Sequence, residues 1–593
     1  MKWSLFLGTI VALLAATLAL PSLLRRTEED GATSVVDAPI EEVVQDVVLS
    51  MAKQEHIWTL EHITFEIETH FGKMFVKALA GRELESLGRY FSEPFAGETL
   101  AVGPVETRRA GAVSENRRSA TNAGLEPANA SQLTAQLAGA LSDFEAIDRA
   151  RLRVLKIDQT AGKENTWQTQ LLITVHGAGP QGQILVWESE HEVAFQYKEK
   201  RQLIEGPAIA SWKWTSEITR RSDHALMQEV TAEVGFDGLA LTDNWKLATK
   251  RQIARGFQMA VEDFDRDGFL DIAIATTASH RPYLLRSIKG RRFEDQAGSL
   301  GIHGWRSATS LVGWIDYDND GYADLLMGDR LYRNVEGQRF ADVTQISGLK
   351  FDFEPTGCTV VDYDSDGRLD LYILYEFPLS RLTQAPSDKP SPWVGDEQSG
   401  SCNQLWHNEG GGRFRDVTFQ ASATGGKRQT FAASWLFYDD DHFPDVYIAN
   451  DFGENVLLRN QGDGTFENAT EVAGCGDFAT SMGVASGDLD NDGQTEIYVA
   501  NMYSKMGRRI LANVSAADYP KGMYAQLLGS CAGNRLYTHT QGQSRFRETS
   551  EDLGINGVGW AFAPAMADFD GDGWLDVYAT TGFRSYERGK PDG

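Results

Sequence analysis

Six short stretches of the 593-residue chain gather carboxylates closely enough to act on one ion or one bond. The first, VEDFDRDGFLDIAIAT over 261–276, sets Asp263, Asp265, Asp267 and Asp271 at positions 1, 3, 5 and 9 of a turn that then enters an apolar strand. The pattern returns at Asp316, Asp318, Asp320 and Asp324; at Asp362, Asp364, Asp366 and Asp370; at Asp488, Asp490, Asp492 and Glu496; and at Asp568, Asp570, Asp572 and Asp576. Another copy is damaged: Phe437 stands at position 1 and His442 replaces the turn glycine, leaving Asp439, Asp441 and Asp445.

Two chemistries use such clusters. Paired carboxylates do general acid and base work when their pKa values are pushed apart, but a cluster copied six times has no reason to be one active site. Calcium accepts about six to eight oxygens at flexible angles; acids at 1, 3, 5 and 9, a glycine at 6 for the sharp turn and a carbonyl at 7 supply them. An EF-hand needs an acid at position 12, where this chain has Ile274, Met327, Ile373, Val499 or Ala579 inside a strand. The expected cofactor is therefore Ca²⁺ in β-hairpin loops, with five strong sites and a degenerate sixth at Asp439, Asp441 and Asp445. Four carboxylates in nine residues repel until a cation binds, which couples folding to metal uptake.

Strands must hold each turn. GWIDYDNDGYADLLMG, TVVDYDSDGRLDLYIL, WLFYDDDHFPDVYIAN, ASGDLDNDGQTEIYVA and PAMADFDGDGWLDVYA align with the first block, and their second strands are nearly continuous apolar runs, as in segments buried on both faces. A second hairpin with a Gly-rich turn follows, as in NVLLRNQGDGTFENAT and NQLWHNEGGGRFRDVT. Four strands per repeat is the unit of a β-propeller blade.

The DxDxDGxxD turn, on a repeat of roughly 50 residues, resembles the FG-GAP/VCBS family of calcium-binding propellers. The RNxGxGxFxDVT outer strands resemble its cartilage-acidic-protein-like branch, associated with ASPIC/UnbV segments, although this chain is read as lacking the UnbV tail. The resemblance covers Glu229 to about Gly582 and implies a mainly β fold, a propeller over 229–593 with six blades. The intervals Asp362 to Phe437 and Asp488 to Asp568 have room for a seventh, or for long loops at 376–400 and 502–533. EVTAEVGFDG at 229–238 reads as an outer strand ahead of the first block, while the last block ends at Thr581 without one. The two ends are therefore expected to share a blade and close the ring.

Upstream the pattern differs. Residues 1–24 hold an apolar stretch from Trp3 to Leu24, about 33 Å long as a helix, which suits an uncleaved signal anchor or a cleaved signal peptide. Residues 25–36 form a polar linker. From Pro39 to about Phe95 apolar residues recur three or four apart, and 133–225 alternates apolar and polar residues, so 37–225 is expected to be a smaller α+β domain with a flexible insert at about 96–132. Helices followed by long strands resemble the NTF2-like cone fold.

The net charge of −28 argues against a nucleic-acid partner and favours cations. Four cysteines, Cys358, Cys402, Cys475 and Cys531, form no CxxC pair; disulfides and free thiols both remain open. HExxH, GxSxG, P-loop and strand-linked GxGxxG signatures are absent. Residues just before each block converge on one mouth of a propeller channel, which makes Arg255, Trp305, Arg306, Arg428 and Trp560 the candidate ligand-binding set. The expected role is an exported or membrane-tethered adhesion or recognition scaffold for an extracellular protein or glycan. The alternative is an extracytoplasmic enzyme with its pocket in the channel mouth or the N-terminal domain.

Overall fold

The computed structural model describes residues 49–239, 258–275, 282–304, 311–351, 355–376, 400–439, 441–540 and 543–582. The hydrophobic stretch 1–24, the linker 25–36 and most of the loop 376–400 lie outside them. Among the described residues no helix is long and apolar enough to cross a membrane. The chain divides into two compact units: Met1–Gln228 with Lys505–Lys521, and Glu229–Ser504 with Gly522–Gly593.

In the first unit, helix α1 (Met51–Glu66) continues through a widened turn at Ile67–Gly72 into α2 (Lys73–Ala80). Ser50 caps it by accepting from Lys53 N at 3.3 Å. Leu60, Ile63, Ile67, Phe71, Phe75 and Leu79 recur three or four apart and bury one face. That face meets a mixed sheet whose longest strands are β5 (Ala146–Gln159), β6 (Thr166–Ala178), β7 (Ile184–Gln196) and β8 (Ile209–Ser222). Phe75 stacks on Trp212 at 5.7 Å and Phe71 meets Phe195 edge-on at 5.2 Å, contacts that the alternation of Trp187, His191, Val193, Trp212 and Trp214 makes available.

The expected flexible insert at 96–132 is instead ordered. Phe91–Leu100 (β1), Glu106–Ala110 (β2), Val113–Ser119 (β3) and Leu125–Ala128 (β4) are strands, and Ala130–Ala140 is a helix capped by Asn129. Val113–Ser119 pairs antiparallel with β8. Its polar composition reflects cross-strand ion pairs in place of an apolar face: Arg118 with Glu217, and Glu115 with Arg220 at 2.8 Å.

The expected loop at 502–533 is likewise structured. Lys505–Leu511 and Met523–Gly529 are helices, and the segment through Lys521 belongs to the first unit. Arg509, almost fully buried, donates to Glu61 of α1 at 2.8 and 2.6 Å and to the Val154 carbonyl of β5 at 2.7 Å. Lys53 pairs with Asp518.

The second unit is a succession of antiparallel sheets. The first holds β9 (Gln258–Glu262), β10 (Asp271–Ala275), β11 (Tyr283–Ile288) and β12 (Arg292–Asp295) in sequential order. The second holds β13 (Val312–Ile315), β14 (Asp324–Met327), β15 (Arg330–Val335) and β16 (Arg339–Asp342). The third holds β17 (Gly357–Val361), β18 (Asp370–Leu374), β19 (Gln404–Gly410) and β20 (Arg413–Asp416). The fourth holds β21 (Gln429–Leu436), β22 (Asp445–Glu454), β23 (Val456–Asn460) and β24 (Phe466–Asn468). The fifth holds β25 (Phe478–Gly487), β26 (Glu496–Asn501), β27 (Arg535–Thr540) and β28 (Gln543–Glu548), joined to the fourth where β22 pairs with β25. Among the described residues the sixth holds only β29 (Ala561–Ala567) and β30 (Asp576–Thr581). Second strands such as β14 and β18 are buried at every residue, the outcome of their unbroken apolar runs.

Among the described residues the 229–238 segment forms no strand and is not paired with the last sheet, the pairing that ring closure by shared ends requires. It forms turns, with Phe236–Gly238 a single 3₁₀ turn, and its Val234 carbonyl accepts from Phe293 N of β12 at 3.1 Å. The equivalent connectors later in the chain do the same: Leu300 O accepts from Phe340 N and Ala421 O from Phe466 N. EVTAEVGFDG thus matches the connectors that follow the outer strands later in the chain, and packs on the first sheet.

Candidate metal centres in the acidic turns

Every acidic turn joins the first and second strands of its sheet. In the complete copies the position 1 carboxylate ties the loop to itself: Asp316 accepts from Asp320 N and Gly321 N at 3.1 and 3.0 Å, and Asp263, Asp362, Asp488 and Asp568 repeat the arrangement. The position 5 carboxylate then accepts from the residue two further on, as Asp320 does from Tyr322 N at 3.0 Å. This winding forces the left-handed region at position 6, where Gly268, Gly321, Gly367, Gly493 and Gly573 have φ between 83° and 89°.

The acid at position 9 is a buried clamp. Asp324 is fully enclosed and accepts from Tyr317 N at 3.1 Å and from Asn334 N of β15 at 2.7 Å, fixing the turn to the third strand. Asp271, Asp370 and Asp445 do likewise with Ser287, Asn408 and Asn460. Burial pushes these carboxyls up, Asp324 to about 8 and Asp271, Asp370, Asp445 and Glu496 to about 7.

Position 3 is different. Asp265 is almost fully buried; its Oδ2 pairs with the Arg286 guanidinium, but its Oδ1 accepts no hydrogen bond, and Asp318 and Asp364 each leave one buried oxygen in the same condition. Such oxygens favour a cation. Ligand atoms of Asp263, Asp265 and Asp271 lie within 4.8 Å of one another, as do those of Asp316, Asp318 and Asp320, of Asp362, Asp364 and Asp366, and of Asp488, Asp490 and Asp492. The donor set, carboxylate throughout but for His407 beside Asp364 and Asp370, fits a divalent ion. The sixth turn, Asp568, Asp570, Asp572 and Asp576, keeps the internal bonds but is exposed.

The fourth turn departs from the rest. His442 takes the glycine's place at φ 67°, and Phe437 offers no acceptor at position 1. Arg459 of β23 instead reaches Asp439 at 2.5 Å and Asp441 at 3.4 Å.

Two residue sets that the turn spacing does not reveal complete the centres, both from the third strand. Asn334 Nδ2 donates to its own sheet's Ala323 O and to Phe264 O in the preceding turn; Asn408 reaches Leu369 O and Tyr317 O, and Asn460 reaches Pro444 O and Tyr363 O. One residue earlier stand Arg286, Arg333, His407 and Arg459, each within ion-pair reach of its own turn. The recurring RN and HN dipeptides of the outer strands carry this signal.

Two of the five candidate ligand-binding residues, Arg428 and Trp560, fall among the described residues. Arg255, Trp305 and Arg306 lie outside them. Arg428 is mostly buried and lies 3.5 Å from Glu454, and Trp560 bridges to Met502. The four cysteines are unbridged.

The chain is mainly β, and within it the FG-GAP-like repeat matches residues 263–327, 438–499 and 526–579. Over 171 residues the chain is 26% identical to cartilage acidic protein 1 of Homo sapiens and equally to that of Mus musculus, an alignment that covers 23% of this chain and 26% of each relative. The match thus spans about a quarter of the length of those relatives. Among solved structures the V. cholerae biofilm matrix protein Bap1 is similar over 74% of this chain and 85% of its own, at 10% identity and a TM-score of 0.25.

Proposed function

We propose that the second unit is a calcium-stiffened β-propeller carried outside the cytoplasm, and that the chain is an adhesion or recognition scaffold for a protein or glycan. The observation that carries this is the repetition of one geometry: five loops are wound by their own position 1 acid, and in the first three the position 3 carboxylate keeps a buried oxygen that accepts no hydrogen bond. Repetition argues for a scaffold over a single reaction centre. First strands of consecutive sheets adjoin one another from β9 through β29, the order that blades take around an axis. Asp263, Asp265, Asp267 and Asp271, and their counterparts in the second, third, fifth and sixth turns, are the residues that hold calcium in this proposal. The ion supplies the positive charge that lets four carboxylates share one turn. Affinities as weak as about 10⁻⁴ to 10⁻³ M suffice outside the cell, which agrees with export by the N-terminal hydrophobic segment. Long loops on such a ring are the natural place for a partner.

Scanning calorimetry of the full chain with calcium and with excess chelator tests the proposal. The transition of the second unit is expected to fall by 10 °C or more on chelation, the loss of several kcal/mol of linked binding, while that of the first unit stays in place. Identical traces with and without chelator, together with no calcium in the purified protein by elemental analysis, refute it.

A further inference from the structure

We infer that the side chain one residue before the third-strand clamp sets how tightly each acidic turn holds its divalent ion, so that the turns form a graded series. This rests on the calcium reading above. Strand register makes the positions equivalent. Arg286 pairs across with Glu294, Arg333 with Ala341, His407 with Arg415, Arg459 with Glu467 and Thr538 with Arg547, in each case the pair next to the one that closes the outer hairpin on its connector.

What stands there differs in charge. Arg286 pairs with Asp265 and lies 3.8 Å from Asp267. Arg333 lies 2.7 Å from Asp318 and 3.2 Å from Asp320. Arg459 lies 2.5 Å from Asp439, 3.4 Å from Asp441 and 3.6 Å from Glu467. Each guanidinium thus occupies the position 3 and 5 oxygens that an ion would need. A divalent ion entering the first or second turn must displace a cation or bind beside it, and either course weakens it. The fourth turn lacks the position 1 acid altogether, so Arg459 closes it in place of a metal. His407, 3.4 Å from Asp364 and 3.3 Å from Asp370, can offer a nitrogen lone pair, but Arg368 pairs with Asp366 in the same turn, so the third turn is intermediate. The fifth turn has Thr538, an uncharged hydroxyl, and among the described residues no ion pair reaches Asp490 or Asp492. The fifth turn is therefore the tightest site, the first and second are weak, and the fourth holds none.

Calcium titration of the full chain by isothermal calorimetry tests this, with elemental analysis for stoichiometry. Thr538→Arg is expected to weaken the tightest class by about two- to fivefold, the size of one added exposed ion-pair competitor. Arg333→Met is expected to tighten one weak site by a similar factor. Arg333→Lys keeps the charge and should leave that site weak, separating charge from packing. If Arg333→Met binds no better than wild type and Thr538→Arg no worse, at unchanged stoichiometry, the grading is overturned while the calcium reading stands. If neither wild type nor any variant takes up calcium at millimolar concentration, both fall.

Discussion

His191 shows how much one enclosed side chain can decide. Its Nδ1 accepts from Trp212 Nε1 at 2.9 Å and its Nε2 lies 2.8 Å from Ser189 Oγ, an arrangement that fixes a neutral ring. Burial holds its pKa down at about 3, against an ordinary value near 6.5. Below 6.5 the unfolded chain takes up a proton that the folded ring refuses, so the stability this group confers is complete above pH 6.5 and is lost as pH falls toward 3. Between pH 7 and pH 5 the first unit should lose about 2 kcal/mol from this source alone. Urea unfolding followed by tryptophan fluorescence at the two pH values checks it. His191→Phe, less stable at neutral pH for want of its hydrogen bonds, should show a correspondingly smaller drop; an unchanged drop would assign the effect elsewhere. At this scale the turn aspartates and glycines are legible from spacing alone, because the loop winds on its own residues. Arg333 and Asn334 are not, because the next hairpin delivers them across a distance that no local pattern encodes.

Elements are legible where burial writes a period into them. β14 and β18 are continuous apolar runs, and α1 and α2 keep a three-to-four spacing through the widened turn at Ile67–Gly72. Val113–Ser119 has no such signature: it pairs with β8 through Arg–Glu contacts, so its composition matches that of a loop. Between sheets the link is the third-strand asparagine. Asn408, fully buried, donates to Tyr317 O in the preceding turn at 2.8 Å and to Leu369 O in its own at 3.1 Å. Asn408→Leu removes both donors and leaves two carbonyls without them, and it is expected to cost the second unit about 2 to 3 kcal/mol. Chemical denaturation resolves this as an earlier transition of that unit with the first unit unmoved. Because the asparagine bonds two successive turns, the same variant should also weaken calcium binding in both.

For the whole molecule, repetition is the most legible feature, since six aligned blocks need no knowledge of how they pack. The division into units is only half legible. The change of periodicity near residue 228 marks one boundary. Nothing local in KMGRRIL foretells that Arg509 will be enclosed beside Glu61, 448 residues earlier. That return visit means the backbone passes from one unit to the other three times, near 228, 504 and 521. A fragment ending at residue 228 would leave Glu61 and the Val154 carbonyl without the guanidinium that binds them, and is expected to be less stable than the whole unit. A synthetic peptide of residues 505–521 is expected to restore such a fragment's thermal stability in trans, whereas the same peptide carrying Arg509→Met is not. Proteolytic nicking anywhere between 229 and 257 would, for the same reason, yield two pieces that still travel together through gel filtration.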